Sequence, residues 1–378
     1  MRKSEGEGER FRRRESGKRL GMRGSLAVLS LVSVFAMAVL SGGCAGGGEG
    51  ERRAEQRTDA RQKAEPKRNE RRPAREDGAR RRARTDSDQK NRALVWVAVE
   101  GGDQIALVDV VAGKVVARLR AAGGPHNVTV AEDGVAAAAL YASDRLALAR
   151  PGGARFVELG GSPHDVKSTG RVFVVANEGA RRLDIVAGGD HVASVPLAGE
   201  PHDLAIAPGG RLAWVTLNGS DELAVVDLRA RRVVRYVPTG RRPHDVLFAP
   251  DGTLWATDWE GPVHVFDRRG NLRAEVELGE ESHHLAFTPD GREAWVTDHA
   301  AKRVFVVDAT RAELLAALPV PGAPHHVAIT PDGKLAAVAD HERGTVVVYD
   351  VERRSRLGTI EVGPGPHGVW SVPAEAGS

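Results

Sequence analysis

Residues 321–362 read PGAPHHVAITPDGKLAAVADHERGTVVVYDVERRSRLGTIEV. Four short runs rich in Val, Ile, Leu and Ala are separated by turn sequences such as PDG, the pattern of strands joined by hairpins. HHVAIT supplies the first predicted strand, LAAVAD the second, GTVVVYD the third and RLGTIEV the fourth. This stretch therefore predicts a small four-stranded antiparallel sheet.

The same unit recurs along the chain, and a histidine at the start of the first strand marks each copy. Successive marker histidines are 38, 38, 42, 39, 42 and 42 residues apart, a period typical of four-stranded propeller blades. The markers are His126, His164, His202, His244, His283, His325 and His367. We therefore predict an all-β fold, a seven-bladed β-propeller over residues 93–378.

The two ends of the repeat region predict how the ring closes. The region opens with ALVWVAVEGGDQIALVDVVAGKVVARLR, which holds three strands but lacks a first one. It ends with PHGVWSVP, a first strand without the other three. Together they would complete the seventh blade, and the closed ring would leave no large open sheet edge.

The chain before the repeats has a different composition. The first 92 of the 378 residues hold 25 of the 54 Lys and Arg, 14 of the 51 Asp and Glu, and no histidine. Because the repeat region is mildly acidic, the basic total is no argument for binding nucleic acid, and no such partner is expected. Residues 45–92 mix both charges with few large apolar side chains, which predicts a disordered linker.

An export signal is predicted before this linker. Residues 25–40, SLAVLSLVSVFAMAVL, form an uncharged run with basic residues before it and SGGC after it. The run is shorter than the ~20 residues needed to span a bilayer as a helix. Met22 is a possible true start, because the 21 residues before it are highly charged and add nothing that a signal needs.

The sequence VLSGGC resembles the lipobox of bacterial lipoproteins. This resemblance implies a signal over residues 1–44, a lipid on Cys44, the only cysteine, and attachment at the extracytoplasmic face of the cell membrane. The alternative is an ordinary cleaved signal with an incidental cysteine.

The repeat also resembles a known family. The stretch GREAWVTDHAAKRVFVVDATRAELLAALPVPGAPHHVAITPDG is similar to the YVTN, or YncE-like, β-propeller repeat, and the similarity covers residues 93–373. The resemblance implies the fold but leaves the chemistry open. Such propellers include binding proteins, and related seven-bladed rings carry lactonase, streptogramin lyase, haem d1 and nitrous oxide reductase sites.

The marker histidines are predicted to ring one mouth of the central channel, because the first strand of each propeller blade lines that channel. Counting outward from the hairpin turns identifies the residue that would face a marker across the hairpin. The predicted pairs are His244 with Asp258, His283 with Asp298, and His325 with Asp340.

Two neighbouring blades concentrate histidine. His299 and His341 follow the aspartates, whereas His284 and His326 follow the markers and would point to the opposite side of their strands. Imidazole is a common zinc and copper ligand, and a carboxylate can orient it. We expect a zinc or copper site that weakens below about pH 6.5, where histidine protonates. The predicted ligands are His283, His325, His299, His341, Asp298 and Asp340.

The rest of the ring has two interpretations. Duplication can repeat one ancestral turn residue whose ring N–H caps a backbone carbonyl, which would make the histidines structural. Alternatively, the mouth binds a small ligand and Trp259 offers a stacking surface. The candidate ligand-binding residues are His126, His164, His202, His244, His367, Asp258 and Trp259.

Two classes of function remain. The first is a lipid-anchored binding module that presents the mouth to a metal ion, a small molecule or another envelope protein. The second is a metal-dependent enzyme, either lactonase-like or streptogramin-lyase-like, or a copper redox site. Since no general base stands out, we favour binding and assign no catalytic residue.

Overall fold

The computed structural model describes residues 92–373. The predicted signal, Cys44 and linker residues 45–91 lie outside the described residues. Within the described range, 28 strands form seven four-stranded antiparallel sheets, which confirms the seven-bladed propeller. No helix in this range is long and apolar enough to cross a membrane.

The first blade combines strands from both ends of the chain, and the other six follow in chain order. Blade 1 contains β28 (Pro366–Ser371), β1 (Leu94–Val99), β2 (Gln104–Asp109) and β3 (Lys114–Arg120). Blade 2 contains β4 (Pro125–Val130), β5 (Ala136–Leu140), β6 (Arg145–Arg150) and β7 (Gly153–Glu158). Blade 3 contains β8 (Pro163–Thr169), β9 (Val172–Asn177), β10 (Arg182–Ala187) and β11 (Asp190–Pro196). Blade 4 contains β12 (Glu200–Ile206), β13 (Leu212–Asn218), β14 (Glu222–Asp227) and β15 (Arg232–Pro238).

The remaining three blades have the same plan. Blade 5 contains β16 (Pro243–Phe248), β17 (Leu254–Asp258), β18 (Val263–Phe266) and β19 (Leu272–Val276). Blade 6 contains β20 (Ser282–Phe287), β21 (Glu293–Asp298), β22 (Arg303–Asp308) and β23 (Glu313–Pro319). Blade 7 contains β24 (Pro324–Ile329), β25 (Leu335–Asp340), β26 (Thr345–Asp350) and β27 (Ser355–Glu361). Two short 3-10 turns occupy Glu100–Gly102 and Tyr141–Ser143.

The ring closes as the sequence predicts. β28 pairs with β1, and Trp370 and Val369 lie opposite Trp96 and Val97. Gly368 permits the close approach of β28 to β4, because a Cβ at this position would lie 2.8 Å from the backbone oxygen of His126. Any larger residue would push the closing strand away from blade 2.

The hydrophobic core lies between neighbouring blades rather than in one central mass. The middle strands are apolar on both faces, so each sheet packs against the sheet on either side. Val97 and Val108 of blade 1 pack with Ala339 and Val346 of blade 7. The outermost strands are mostly exposed, as in β27.

A β-bulge interrupts the first strand of every blade at or directly after the marker histidine. In blade 6, Ser282 pairs with Asp298 and Leu285 pairs with Val296, so two residues lie opposite Thr297 alone. An extra residue in one strand breaks the alternation of side chains. The marker and the residue after it therefore both reach the channel.

Candidate metal centre

The seven marker histidines form a closed ring of imidazoles, as the repeat alignment predicts. Ring centroids of neighbouring markers are 3.6–4.6 Å apart all the way round, including His367 to His126 across the closure. The ring borders a cavity of about 280 Å³ whose lining also includes Asn218, Arg242 and Trp259.

Threonines on the second strands position three of these histidines. Thr257 accepts a hydrogen bond from the Asp245 amide, 2.9 Å, and donates one to the His283 carbonyl of the next blade, 2.7 Å. Thr216 and Thr297 make the same pair of bonds in blades 4 and 6. These hydroxyls satisfy the amide exposed by the bulge and tie each blade to the next.

The predicted cross-strand pairs of histidine and aspartate are wrong by one residue. Each aspartate pairs with the residue directly before a marker, because the bulge begins at the marker itself. The observed pairs are Pro243 with Asp258, Ser282 with Asp298, and Pro324 with Asp340.

The three carboxylates instead accept hydrogen bonds from backbone amides of nearby loops. Asp298 accepts from the amides of Glu281, 3.1 Å, and Ala301, 2.7 Å. Asp340 accepts from Gly322, 2.9 Å, and Arg343, 3.2 Å, and Asp258 accepts from the Glu260 amide, 3.0 Å. Asp298 and Asp340 therefore brace the loops that carry His299 and His341.

Three of the predicted metal ligands do come together. His283, His299 and His325 each offer a ring nitrogen, and these atoms lie within 4.8 Å of one another. The ring of His341 stacks on His325 at 4.4 Å. We call His283, His299 and His325 the mouth triad, and its geometry allows it to hold a metal ion.

The ring also supplies a second group through closure. Glu100 at the end of β1 meets His126 and His367, and one ligand atom from each lies within 4.8 Å of the others. Sequence alone indicates the contact between Glu100 and His367 once β28 is placed beside β1.

Hydrogen bonding separates the two interpretations of the ring. His164 Nδ1 contacts the His202 carbonyl at 3.0 Å, and His244 Nδ1 contacts the His283 carbonyl at 3.2 Å. Ring N–H groups that cap carbonyls match the structural interpretation. By contrast, neither nitrogen of buried His325 has a hydrogen-bond partner among residues 92–373.

Burial keeps most of these imidazoles neutral. Desolvation lowers the pKa of His283 far below its ordinary value, with repulsion from His244, His284 and neighbouring histidines adding to it. Desolvation, together with His341 and His299, lowers the pKa of His325 to about 2. Neutral imidazole is the form that binds metal, so proton competition should begin below the pH 6.5 expected of a free histidine.

Trp259 lies where a ligand at the mouth would meet it. Its ring centroid is 4.7 Å from that of His244 and 5.1 Å from that of His283. Trp259 lines the cavity beside the ring. The structure thus places Trp259 beside the ring, and its use as a stacking surface stays a prediction.

A second layer of polar side chains, which sequence reasoning missed, lies beneath the ring. The prediction that His284 and His326 point away from the channel is wrong, because the bulge turns them inward and their rings stack at 3.3 Å. The sequence feature that could have predicted this layer is the residue that follows each marker. These positions hold Asn127, Asp165, Asp203, Asp245, His284, His326 and Gly368.

Asp203 is the member of this layer that lies beside several histidines: its carboxylate is within 4 Å of ring nitrogens of His164, His202, His244 and His284. Burial alone would raise the pKa of Asp203, but attraction to His284 and His202 and the nearby ring nitrogens of His164 and His202 hold it well below the ordinary value. For His202 the two effects have the opposite sign: burial alone would lower its pKa, but attraction to the charge of Asp203 raises it. These opposite shifts favour an ionised carboxylate at Asp203 beside the imidazole of His202.

These features define a class of protein: a closed seven-bladed propeller with an imidazole ring at one end of its channel. The chain belongs to the YncE-like beta-propeller family, whose model matches residues 173–376. A comparison with curated protein sequences found no match.

Solved structures of several differently named proteins share the fold. The periplasmic gluconolactonase PpgL of Pseudomonas aeruginosa is 20% identical, with a TM-score of 0.63 over 75% of this chain and 100% of that one. Virginiamycin B lyase from Staphylococcus aureus is 12% identical, with a TM-score of 0.59 over 67% and 92%. Kuenenia stuttgartiensis hydrazine synthase is 19% identical, with a TM-score of 0.60 over 66% and 90%. At these identities the likeness establishes the fold and leaves the function to the site.

Proposed function

We propose that this protein is an exported, lipid-anchored binding propeller that holds a divalent transition metal at its channel mouth. The mouth triad supplies three imidazoles, and the adjacent cavity leaves room for a further ligand on the metal. Through that open position the protein would bind a small molecule or a donor group of an envelope protein.

The main observation behind this proposal is the lack of hydrogen-bond partners for His325. Both of its ring nitrogens are buried without a hydrogen-bond partner among the described residues. A buried polar group without a partner costs about 1–3 kcal/mol. Coordination of a metal would satisfy one nitrogen of His325, and the positions of His283 and His299 suit the same ion.

The donor atoms favour zinc or copper. Imidazole nitrogen suits these ions, whereas magnesium and calcium prefer oxygen ligands. Three histidines with an open fourth position also match the general plan of catalytic rather than closed structural zinc sites. The aspartates that brace the loops of His299 and His341 would act indirectly, by holding those imidazoles in place.

Metal analysis of the purified protein tests the proposal. We expect zinc or copper to remain bound after dialysis near neutral pH and also at about pH 6, because burial keeps His283 and His325 neutral there. Protein reconstituted with either metal and dialysed should retain at least one equivalent. Protein that keeps neither metal after reconstitution would contradict the proposal.

The lipid anchor rests on the sequence and is tested separately. Replacing Cys44 by Ser removes the only cysteine, so the variant should leave the membrane fraction or accumulate as a precursor. Fractionation and mass measurement of wild type and variant check this. A processed, membrane-bound Cys44→Ser protein would contradict the lipoprotein assignment.

A metal-dependent enzyme is the second candidate, and the cavity beside the triad favours it. Arg242 and Trp259 line this space of about 280 Å³, which suits an anionic or cyclic substrate next to a Lewis-acidic ion. PpgL, which shares the fold, is described as a gluconolactonase. Zinc-dependent hydrolysis of a lactone that requires His299 would favour this alternative over simple binding.

A further inference from the structure

We propose that the channel contains a second cation site, distinct from the mouth triad, formed by Asp203, Asp245 and His284. One ligand atom from each residue lies within 4.8 Å of the others, and all three side chains are buried. We call these three residues the inner site. It lies one layer below the ring, because each member directly follows a marker histidine.

Buried carboxylates outnumber buried lysines in this part of the channel. Asp165, Asp203 and Asp245 are all buried, and the buried lysine beside them is Lys167. Lys167 Nζ contacts both carboxylate oxygens of Asp165, at 2.7 and 2.6 Å. That pairing leaves two carboxylates, Asp203 and Asp245, whose combined charge a divalent cation would neutralise.

The hydrogen bonds of the two carboxylates leave donor capacity for an ion. Asp203 Oδ1 accepts from Asn127 Nδ2 at 2.9 Å, but its Oδ2 has no hydrogen-bond partner among residues 92–373. The oxygens of Asp245 accept from the amides of Val246, 2.8 Å, and Leu285, 3.0 Å. Each carboxylate oxygen has a second lone pair that can still bind a metal.

His284 directs a nitrogen at the same point. Its Nδ1 contacts His283 Nδ1 at 2.5 Å, and its Nε2 lies 3.0 Å from Asp203 Oδ2 without hydrogen-bond geometry. The neighbouring His326 stacks on His284, and its Nε2 is likewise buried without a partner in the described range. One imidazole and two carboxylates therefore surround one position, and the ring of His326 is stacked beside that imidazole.

The donor set differs from that of the mouth triad and predicts different metals. Mixed carboxylate and imidazole ligands suit manganese, iron(II) or zinc, whereas a purely imidazole site favours copper or zinc. The inner site should therefore accept a divalent transition cation, including manganese, which the mouth triad should bind poorly.

Anomalous diffraction from crystals of the wild-type protein decides the matter without relying on any variant. Crystals soaked in zinc should show peaks at both the mouth triad and the inner site, and crystals soaked in manganese should show a peak at the inner site. Zinc at the mouth alone, with no inner peak for either ion, would overturn the inner site and leave the proposed function intact. A peak at the inner site alone would support the inner site and contradict the proposed metal site at the mouth triad.

The number of zinc equivalents that each variant retains in solution tests the same proposal. Wild type should retain two equivalents, and the variants Asp203→Asn/Asp245→Asn and His283→Ala/His325→Ala should each retain one. Asp308→Asn, at the surface end of β22, serves as the control and should retain two. If the inner double variant binds as much zinc and manganese as wild type, the inner site is wrong.

Discussion

Deletion of residues 364–378 should unfold the propeller or lower its melting temperature by roughly 10 °C or more. The deletion removes β28, which supplies the inner strand of blade 1 and its only pairing to β1 on that side. It also removes Val369 and Val372, which are 1% and 8% exposed. Burial of such side chains contributes about 1.5–3 kcal/mol each, and the truncated ring would expose the edge of β1 as well.

Thermal melts of the full-length and truncated proteins check this expectation. The matched control removes only residues 374–378 and leaves β28 intact, so its melting temperature should equal that of the full-length protein. If both truncated proteins melt at the temperature of the full-length protein, the ring does not depend on closure by β28.

Acidification should destabilise the metal-free protein steeply between about pH 6.5 and pH 5. Desolvation is the largest cause that lowers the pKa of the buried histidines. The group consists of His126, His244, His283, His326 and His367, with pKa values well below the ordinary value, and His325, with a pKa of about 2. Below about pH 6.5 the unfolded chain therefore binds more protons than the folded protein, and stability falls with pH.

The expected effect is large because several histidines contribute in the same direction. A histidine that stays neutral in the folded protein loses up to about 1.4 kcal/mol of stability per pH unit below its unfolded pKa, and six histidines have lowered pKa values. Asp203 raises the pKa of His202, whose contribution is present at low pH and lost as pH rises, so His202 opposes the trend in part.

Chemical denaturation of chelator-treated protein at several pH values measures the slope. The variant His126→Gln/His367→Gln removes two of the neutral imidazoles and should show a slope smaller by about two protons. Thr359→Val changes an exposed residue of β27 that does not titrate, and it should leave the slope unchanged. A stability that is independent of pH over this range would contradict neutral burial of the ring.

The fold was predictable from the sequence because its signals are local and repeated. Turn sequences such as PDG and runs of alternating apolar residues define each hairpin, and the surplus first strand at PHGVWSVP indicates the closure. The ring of markers followed from the same alignment, because position within a blade determines position in the channel. Trp259 could be placed at the mouth since it falls just after the second strand of blade 5.

The contacts of the site were less predictable because they depend on the bulge. A one-residue irregularity shifts the partner of Asp298 from His283 to Ser282 and turns His284 into the channel. Strict alternation along a strand misses both effects. Threonines opposite the bulge, as in Thr257 and Thr297, are the sequence feature that accompanies it, because their hydroxyls bond the displaced amide.

Calorimetric titration with zinc and copper tests the central claim, metal binding by the mouth triad, most directly. Wild type should bind at least one of the two ions, and His283→Ala/His325→Ala should lose at least tenfold in affinity at the mouth, because two of three imidazole ligands are gone. The control His191→Ala alters a histidine whose Nε2 contacts Asp184 at 3.0 Å outside the ring, and it should titrate as wild type does. Equal affinity for both ions in wild type and the double variant, or no binding by either protein, would contradict the claim.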